Sequence, residues 1–326
     1  MRVDIIIPVK RIGSYIYESV AEILKLDYND YGIIIFPDSF DGESFPKTTI
    51  IPTGGVGPAI KRDMALQHSS ADVLAFLDDD AYPKADWLKN AIRHFNSPDV
   101  AAVGGPAVTP PHDTFWQKVS GAVFLTPFGG GVPERYQPVG NVRMVDDWPS
   151  VNLLVRRDVF AQVGGFNSDY WPGEDTKLCL DIIKLGKKII YAPDAIVWHH
   201  RREGLVRHLK QIGRYGLHRG FFAKKFPETS RRLKYFIPSV FVIFLLVCVL
   251  LPFTTNKTIL TVYLAGLAAY IAALMVATFQ IWNKGEDLLV SFACLPYIAL
   301  THMWYGIRFL QGFLFTKELN SRLRKL

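Results

Sequence analysis

The stretch V-L-A-F-L-D-D-D, residues 73–80, decides how this chain is read. Five apolar residues without polar interruption predict a short strand buried on both faces. Three carboxylates, Asp78, Asp79 and Asp80, follow where that strand leaves its sheet. Open α/β sheets take their ligands just beyond the carboxyl ends of the strands. Three adjacent acids repel one another, and a hard divalent cation offsets that repulsion because Mg²⁺ and Mn²⁺ take oxygen ligands and keep a phosphate in their shell. A metal site that holds a diphosphate is therefore the first expectation. On these three residues alone, a solvated acidic turn is the alternative.

Working outward, residues 3–9 read as a buried strand closed by Pro8, and residues 15–26 as a helix with Ile16, Val20, Ile23 and Leu24 on one side. Residues 31–36, Y-G-I-I-I-F, are a second strand ending in P-D-S-F-D-G. Strand, helix, strand at this spacing is a βαβ unit with a right-handed crossover. Asp38 then lies on the same edge as the three aspartates if the strands are parallel, where a carboxylate holds a ribose or base; it is also an ordinary turn residue. Residues 54–66, G-G-V-G-P-A-I-K-R-D-M-A-L, form a glycine-rich turn entering a helix. No Lys-Ser/Thr pair closes it, so it is not a Walker loop. Lys61 and Arg62 face either a phosphate or solvent.

Further on, a helix is expected over 87–95 and a strand over 100–105. Residues 106–149 are rich in Gly, Pro and aromatics around V-F-L-T-P-F-G-G-G-V, which suits a functional loop or lid whose apolar centre is too short to span a bilayer but long enough to lie on one. A strand resumes at 151–155, followed by a short helix over 156–166 closed by Gly164 and Gly165. Gly173, Glu174 and Asp175 open the next helix, where acids also serve simply as caps favoured by the macrodipole. K-K-I-I-Y-A-P-D-A-I-V-W-H-H then supplies two short strands and the pair His199 and His200, read as ligands or as ordinary hydrogen-bonded histidines.

The 326 residues carry a net charge of +7, and 49% are hydrophobic. The isoelectric point near 9.2 and mean hydropathy of +0.15 belong together, because the apolar excess falls after residue 235 and the basic excess just before it. From residue 199 to 234 there are eleven Lys or Arg against two Glu. A basic amphipathic helix abutting an apolar span reads as an element drawn to anionic lipid, in preference to nucleic acid, for which no motif is visible. Residues 236–253 and 259–280 are each long enough to cross a bilayer. Residues 288–315 are a third apolar segment that carries Pro296, His302, Arg308 and Gln311; it either spans or is re-entrant. His302 and Arg308 contact a lipid head group or serve helix packing. Arg231, Arg232 and Lys234 favour the cytosolic side. No basic leader precedes the first strand, so no cleavable signal peptide is expected and the soluble part should remain cytosolic, on a multi-pass protein of the cell membrane. Cys179, Cys248 and Cys294 are too few and too scattered for a disulfide framework or a zinc site.

Taken together, I-I-I-P-V-K, Asp38, G-P-A-I-K-R-D, F-L-D-D-D-A-Y-P, G-G-F, G-E-D-T-K-L, Y-A-P-D-A-I-V-W-H and Q-I-G-R-Y-G resemble the membrane-anchored bacterial glycosyltransferases of family 2, over nearly all of residues 1–220. T-P-F-G-G-G and T-H-M-W-Y-G-I-R-F-L-Q-G resemble the subgroup acting in exopolysaccharide synthesis. The resemblance implies a GT-A fold, an α/β domain with a mostly parallel sheet over residues 1–220, then a basic segment to 235, a membrane domain over 236–315 and a basic tail. It implies a divalent cation, Mg²⁺ or Mn²⁺, a nucleotide-sugar donor and a lipid-linked or membrane-borne acceptor. By position it implies that Pro8, Asp38, Arg62, Asp78, Asp79 and Arg202 surround the donor, that Asp80 and His199 hold the metal, and that Asp175 is the general base. Trp171, Gly173, Glu174, Gln211 and Arg214 would then lie beside the acceptor. Two departures matter. P-D-S replaces the usual acid pair after the second strand. Gln211, Arg214 and Tyr215 stand where processive synthases have Q-x-x-R-W, which implies transfer of one sugar. A polyprenyl-phosphate sugar synthase and a non-catalytic nucleotide-sugar binding protein are the alternatives.

Overall fold

The computed structural model describes residues 1–166, 170, 172–247 and 256–319, arranged as two compact units. The first comprises Met1–Pro110 and Glu134–His200, and the second Pro111–Pro133 and Arg201–Glu318. The boundary thus falls at residue 200, and the basic helix that follows belongs with the apolar helices.

In the first unit, β1 (Val3–Pro8), α1 (Ser14–Ile23), β2 (Tyr31–Phe36) and β3 (Thr48–Ile50) lead through α2 (Pro58–Asp63) and α3 (Ala65–His68) to β4 (Val73–Leu77) and β5 (Ala81–Pro83). After α4 (Trp87–Ile92) come β6 (Val100–Gly104) and β7 (Ala107–Val108). The chain then passes through α5 (Phe115–Ala122) of the second unit and returns as β8 (Arg143–Val145), β9 (Asn152–Arg156), α6 (Arg157–Gln162), α7 (Glu174–Lys184), β10 (Lys188–Tyr191) and β11 (Val197–His199). The main sheet runs β3-β2-β1-β4-β9-β6-β10-β8. β1 is parallel to both β2 and β4, so Asp38 and Asp78 do leave the sheet at one edge. β9 is antiparallel to β4 and β6, which makes the sheet mixed at its centre.

The side-chain period of two sends the strand residues to two cores. Val73, Ala75 and Leu77 join Ile5, Ile7, Val20 and Trp87 on one face. Leu74 and Phe76 join Ile6, Phe160, Phe166 and Leu178 on the other. Both faces are covered, which is why residues 73–77 are apolar without alternation. A second sheet, β5-β11-β7, is tied to the first by Asn152. Its fully buried amide accepts from Trp87 Nε1 (2.9 Å) and donates to the carbonyls of Pro106 (3.0 Å) and Ala195 (2.8 Å).

The second unit holds α5, α8 (Leu205–Lys225), α9 (Pro227–Ser230), α10 (Leu233–Val247), α11 (Lys257–Asn283) and α12 (Leu288–Leu310). The helices over Lys257–Asn283 and Leu288–Phe315 are long and apolar enough to cross a membrane, whereas Leu233–Val247 is shorter, and the end of the span expected to residue 253 lies outside the described residues. The apolar centre of the 106–149 segment is part of this unit. Thr114 caps α5 in a capping box with Gln117, and Val123, Phe124 and Leu125 are buried. Lys284, in the α11–α12 turn, donates to the Leu125 carbonyl.

α8 lies against α12 along a glycine face: a Cβ on Gly220 would sit 2.1 Å from the Phe309 carbonyl oxygen, and one on Gly213 would strike Trp304. Small residues here let the backbones approach as they do in membrane helices. His208 of α8 is fully buried between Ser120 (Nδ1, 2.9 Å) and Thr301 (Nε2, 2.8 Å). Burial pushes its imidazole down to about 4, so it is neutral near pH 7.

Candidate active site

The carboxyl edge of the first unit's sheet gathers most of the residues singled out above. Pro8 ends β1 there, and the following carbonyl, of Val9, accepts from Lys61 Nζ at 2.6 Å. Lys61 also pairs with Asp38 just beyond β2. Next to it on α2, Arg62 donates to Asp78 Oδ1 (2.6 Å) and to Glu174 Oε1 (3.3 Å). Both cations are buried, at 3% and 4% exposure, so the glycine-rich turn delivers them to carboxylates and not to water. Pro58 at the start of α2 suits this, because its fixed φ opens the helix where an N–H is not needed.

Asp78, Asp80 and His199 form a cluster whose ligand atoms all lie within 4.8 Å of one another, with His199 Nε2 3.0 Å from Asp80 Oδ1. The short strand β5 causes this. It leaves the acidic turn and pairs antiparallel with β11, putting His199 opposite Ala81, and His200 N donates to the Asp80 carbonyl at 3.0 Å. His200 itself turns away to Glu18 (2.9 Å) and stacks on Tyr15. Two carboxylates and one imidazole are donors that a small divalent cation such as Mn²⁺ accepts, so the residues fit such an ion. Asp79 is half-buried beside them.

Gly173, at φ +130°, turns the chain into α7 in a conformation that side-chain-bearing residues avoid. Its N–H donates to Glu174 Oε2 (2.9 Å). Glu174 is 6% exposed. Burial, followed by the neighbouring Asp175 charge, raises its carboxyl to about 7, against the opposing pull of Arg62. Asp175, half-buried, accepts from Thr176 N at 2.8 Å. Trp171 lies outside the described residues. Arg202, Gln211 and Arg214 belong to the second unit, where Gln211 Nε2 donates to Tyr215 OH (3.0 Å) and Arg202 and Arg214 are exposed.

The sequence set Lys61 against a phosphate or solvent; the structure instead pairs it with Asp38 and the Val9 carbonyl, partners that nothing local in the sequence announces.

A parallel-led sheet with an acidic carboxyl edge, a histidine brought in by a small second sheet and a buried cation bridging two carboxylates defines a GT-A domain. Residues 73–282 match Glycosyl transferase family group 2, and the chain belongs to that family. It is 27% identical over 240 residues to a pre-mycofactocin glycosyltransferase of Mycobacterium tuberculosis, which covers 71% of this chain and 49% of that protein; the chain therefore spans about half the length of that relative. It is 22% identical over 332 residues, 93% of this chain and 95% of the relative, to a dolichyl N-acetyl-alpha-D-glucosaminyl phosphate 3-beta-D-2,3-diacetamido-2,3-dideoxy-beta-D-glucuronosyltransferase of Methanococcus voltae. Among solved structures, the mannosyltransferase PcManGT from Pyrobaculum calidifontis, in complex with GDP-Man and Mn²⁺, has the same fold with a TM-score of 0.55 and 20% identity over 97% of this chain and 88% of that one.

Proposed function

We propose that this chain moves one sugar from a nucleotide-sugar to a hydroxyl of a lipid-linked saccharide, inverting the anomeric configuration. The observation that carries this reading is the shared edge on which Asp78, Asp80 and His199 cluster while Arg62 joins Asp78 to Glu174, next to Asp175. Asp78, Asp80 and His199 would hold a divalent cation, Mg²⁺ or Mn²⁺. When bound, that ion neutralises charge on a diphosphate leaving group. The name of the solved mannosyltransferase, with its Mn²⁺ and GDP-Man, supports a donor of this class.

Asp38, held by Lys61, faces the nucleoside, with Asp79 and Arg202 serving the donor. Arg62 keeps Asp78 and Glu174 from repelling each other as the edge fills with charge. Asp175 takes the proton of the acceptor hydroxyl. The new bond forms between that oxygen and the anomeric carbon, the bond to the diphosphate oxygen breaks, and the electron pair leaves with the nucleoside diphosphate. Attack comes from the face opposite the leaving group, so a single displacement with one catalytic carboxylate inverts the centre, in contrast to the two carboxylates of hydrolases. Gln211 and Arg214, followed by Tyr215, serve a single transfer. The names of two relatives, the Methanococcus enzyme and a glucosyl-dolichyl phosphate glucuronosyltransferase of Haloferax volcanii, state substrates already carrying a sugar on a lipid phosphate, which supports a saccharide hydroxyl over a bare lipid phosphate as acceptor. The apolar helices hold the catalytic unit at the cytosolic membrane face, raising the effective concentration of acceptor.

Asp175→Asn tests the assignment. A hydroxyl acceptor needs its proton removed, so the variant should lose at least ~100-fold of transfer, in line with the typical worth of general base catalysis. A phosphate acceptor is already ionised. Retention of most activity with lipid phosphate as acceptor would reject the hydroxyl reading in favour of a polyprenyl-phosphate sugar synthase.

A further inference from the structure

Within the second unit, α10, α11, α12 and the Pro127–Gly131 turn line an open-sided cavity of about 510 Å³. That size is typical of small-molecule sites, which run from about 300 to 1,000 Å³. Its walls are apolar. Phe241 stacks on Tyr270 with ring centroids 4.2 Å apart, and Ala273, Leu274 and Phe128 complete the lining. Two of the polar side chains that line it satisfy each other, Tyr270 OH lying 3.0 Å from His302 Nδ1. Two glycines shape its floor: Gly130 turns at φ +76°, and Gly131 packs so closely on Phe124 that a Cβ would meet the Phe124 carbonyl oxygen at 2.7 Å.

Lys234, exposed at the start of α10, lines the cavity as its one cation. It lies over the Tyr235 ring and pairs with no carboxylate among the described residues. A dry apolar void forfeits the dispersion contacts of its lining, and hydrocarbon restores them. A hydrocarbon chamber with one ammonium matches the chemistry of a lipid with a phosphate head.

We infer that this cavity receives the hydrocarbon chain of the lipid phosphate that carries the acceptor saccharide, with Lys234 on the phosphate. The inference rests on the proposed function. Short-range burial of the chain beside its phosphate fixes the lipid in depth and rotation, which lowers the entropic cost of presenting its sugar.

The test uses the full chain in phosphatidylcholine nanodiscs and a diazirine-bearing C15 prenyl phosphate as photoprobe. Labelling should be saturable and fall on peptides containing residues 127–132 and 270–274. Unlabelled prenyl phosphate should compete at least tenfold better than the matching alcohol. Ala273→Phe should reduce labelling at least fivefold while leaving donor affinity, measured by calorimetry in the same samples, unchanged. Lys234→Gln should abolish the preference for phosphate over alcohol. Phe241→Ala adds no bulk and widens the chamber, so it should label at least as well as the wild type with a C20 probe. Unsaturable labelling spread over the outward residues of α11, unaltered in Ala273→Phe, would overturn the proposal in favour of bulk lipid. Equal competition by alcohol and phosphate would overturn the role of Lys234, and equal competition by phosphatidic acid would overturn the assignment to a prenyl carrier. Labelling as expected, together with failure to transfer sugar from any nucleotide-sugar, would refute the proposed function and leave the lipid site standing.

Discussion

Replacing Glu174 by glutamine removes one buried charge and one of its two accepted hydrogen bonds. The folded carboxyl sits at about 7 against an ordinary 4.5, chiefly because it is buried and secondly because Asp175 is adjacent. Below pH 4.5 the group is protonated in both folded and unfolded chains and costs nothing. As pH rises from about 4.5 to about 7 the unfolded chain ionises first, so stability is lost across that window and stays lost above it. At 1.36 kcal/mol per pH unit, the loss from this group between pH 5 and pH 8 is on the order of 2–3 kcal/mol. The substituted amide keeps one of the two contacts, to Arg62 Nη1 or to Gly173 N, and forfeits the other at about 1 kcal/mol, independent of pH. The comparison that matters is therefore the pH dependence of the variant against that of the wild type. Thermal unfolding of the purified chain, followed by tryptophan fluorescence in EDTA at pH 5 and pH 8, provides it. Relative to wild type, E174Q should gain about 5–10 °C in Tm between pH 5 and pH 8. Titration of His208 is common to both proteins and cancels. Parallel pH profiles for the two proteins would refute the claim that Glu174 is a strained buried acid.

His208 is pushed down to about 4 by burial, so protons bind the unfolded chain first below pH 6.5 and the second unit loses stability as pH falls from there toward 4; His208→Gln should flatten that limb in the same unfolding assay. Asn152→Leu strands Trp87 Nε1 and two carbonyls in the core and should cost about 3 kcal/mol or more, read as a lower urea midpoint at an unchanged slope. Lys61→Met leaves Asp38 with no buried cation beside it and should weaken nucleotide-sugar binding at least tenfold by calorimetry, while Asp175→Asn leaves that affinity within about twofold.

Much of the first unit was legible because its strands are buried on both faces. Residues 73–77 and 31–36 carry no alternation to confuse, and they end in acids that only the sheet edge can hold. The antiparallel course of β9 was not legible, since N-L-L-V-R reads the same in either direction. The resemblance paired His199 with Asp80, but the element that brings them together did not show, because the three-residue strand A-Y-P is too short and too proline-bound to register as one. Arg62 and Glu174 are 112 residues apart, and nothing local links them. The apolar run at 123–132 looked like a membrane-surface loop because its length and composition permit that. The burial of residues 123–126 follows from pieces far along the chain, such as Gln280, which accepts from Thr126 Oγ1 at 2.6 Å. The amphipathic character of α8 was visible in its charges, but its glycine face announces its partner only when α12 is in place.

The central claim is that the acidic edge holds a cation and a nucleotide-sugar and uses them for transfer. The most direct measurement is nucleoside diphosphate release from a panel of nucleotide-sugars by detergent-purified protein supplied with membrane lipid extract, with Mn²⁺, with Mg²⁺ or with EDTA, for wild type and Asp80→Ala. Release from at least one donor that requires both metal and lipid and disappears in Asp80→Ala is the expected result. Release undiminished in EDTA, or equal in Asp80→Ala, would contradict the cation site. Metal-dependent binding of a donor with no release under any condition would contradict the transfer reaction itself.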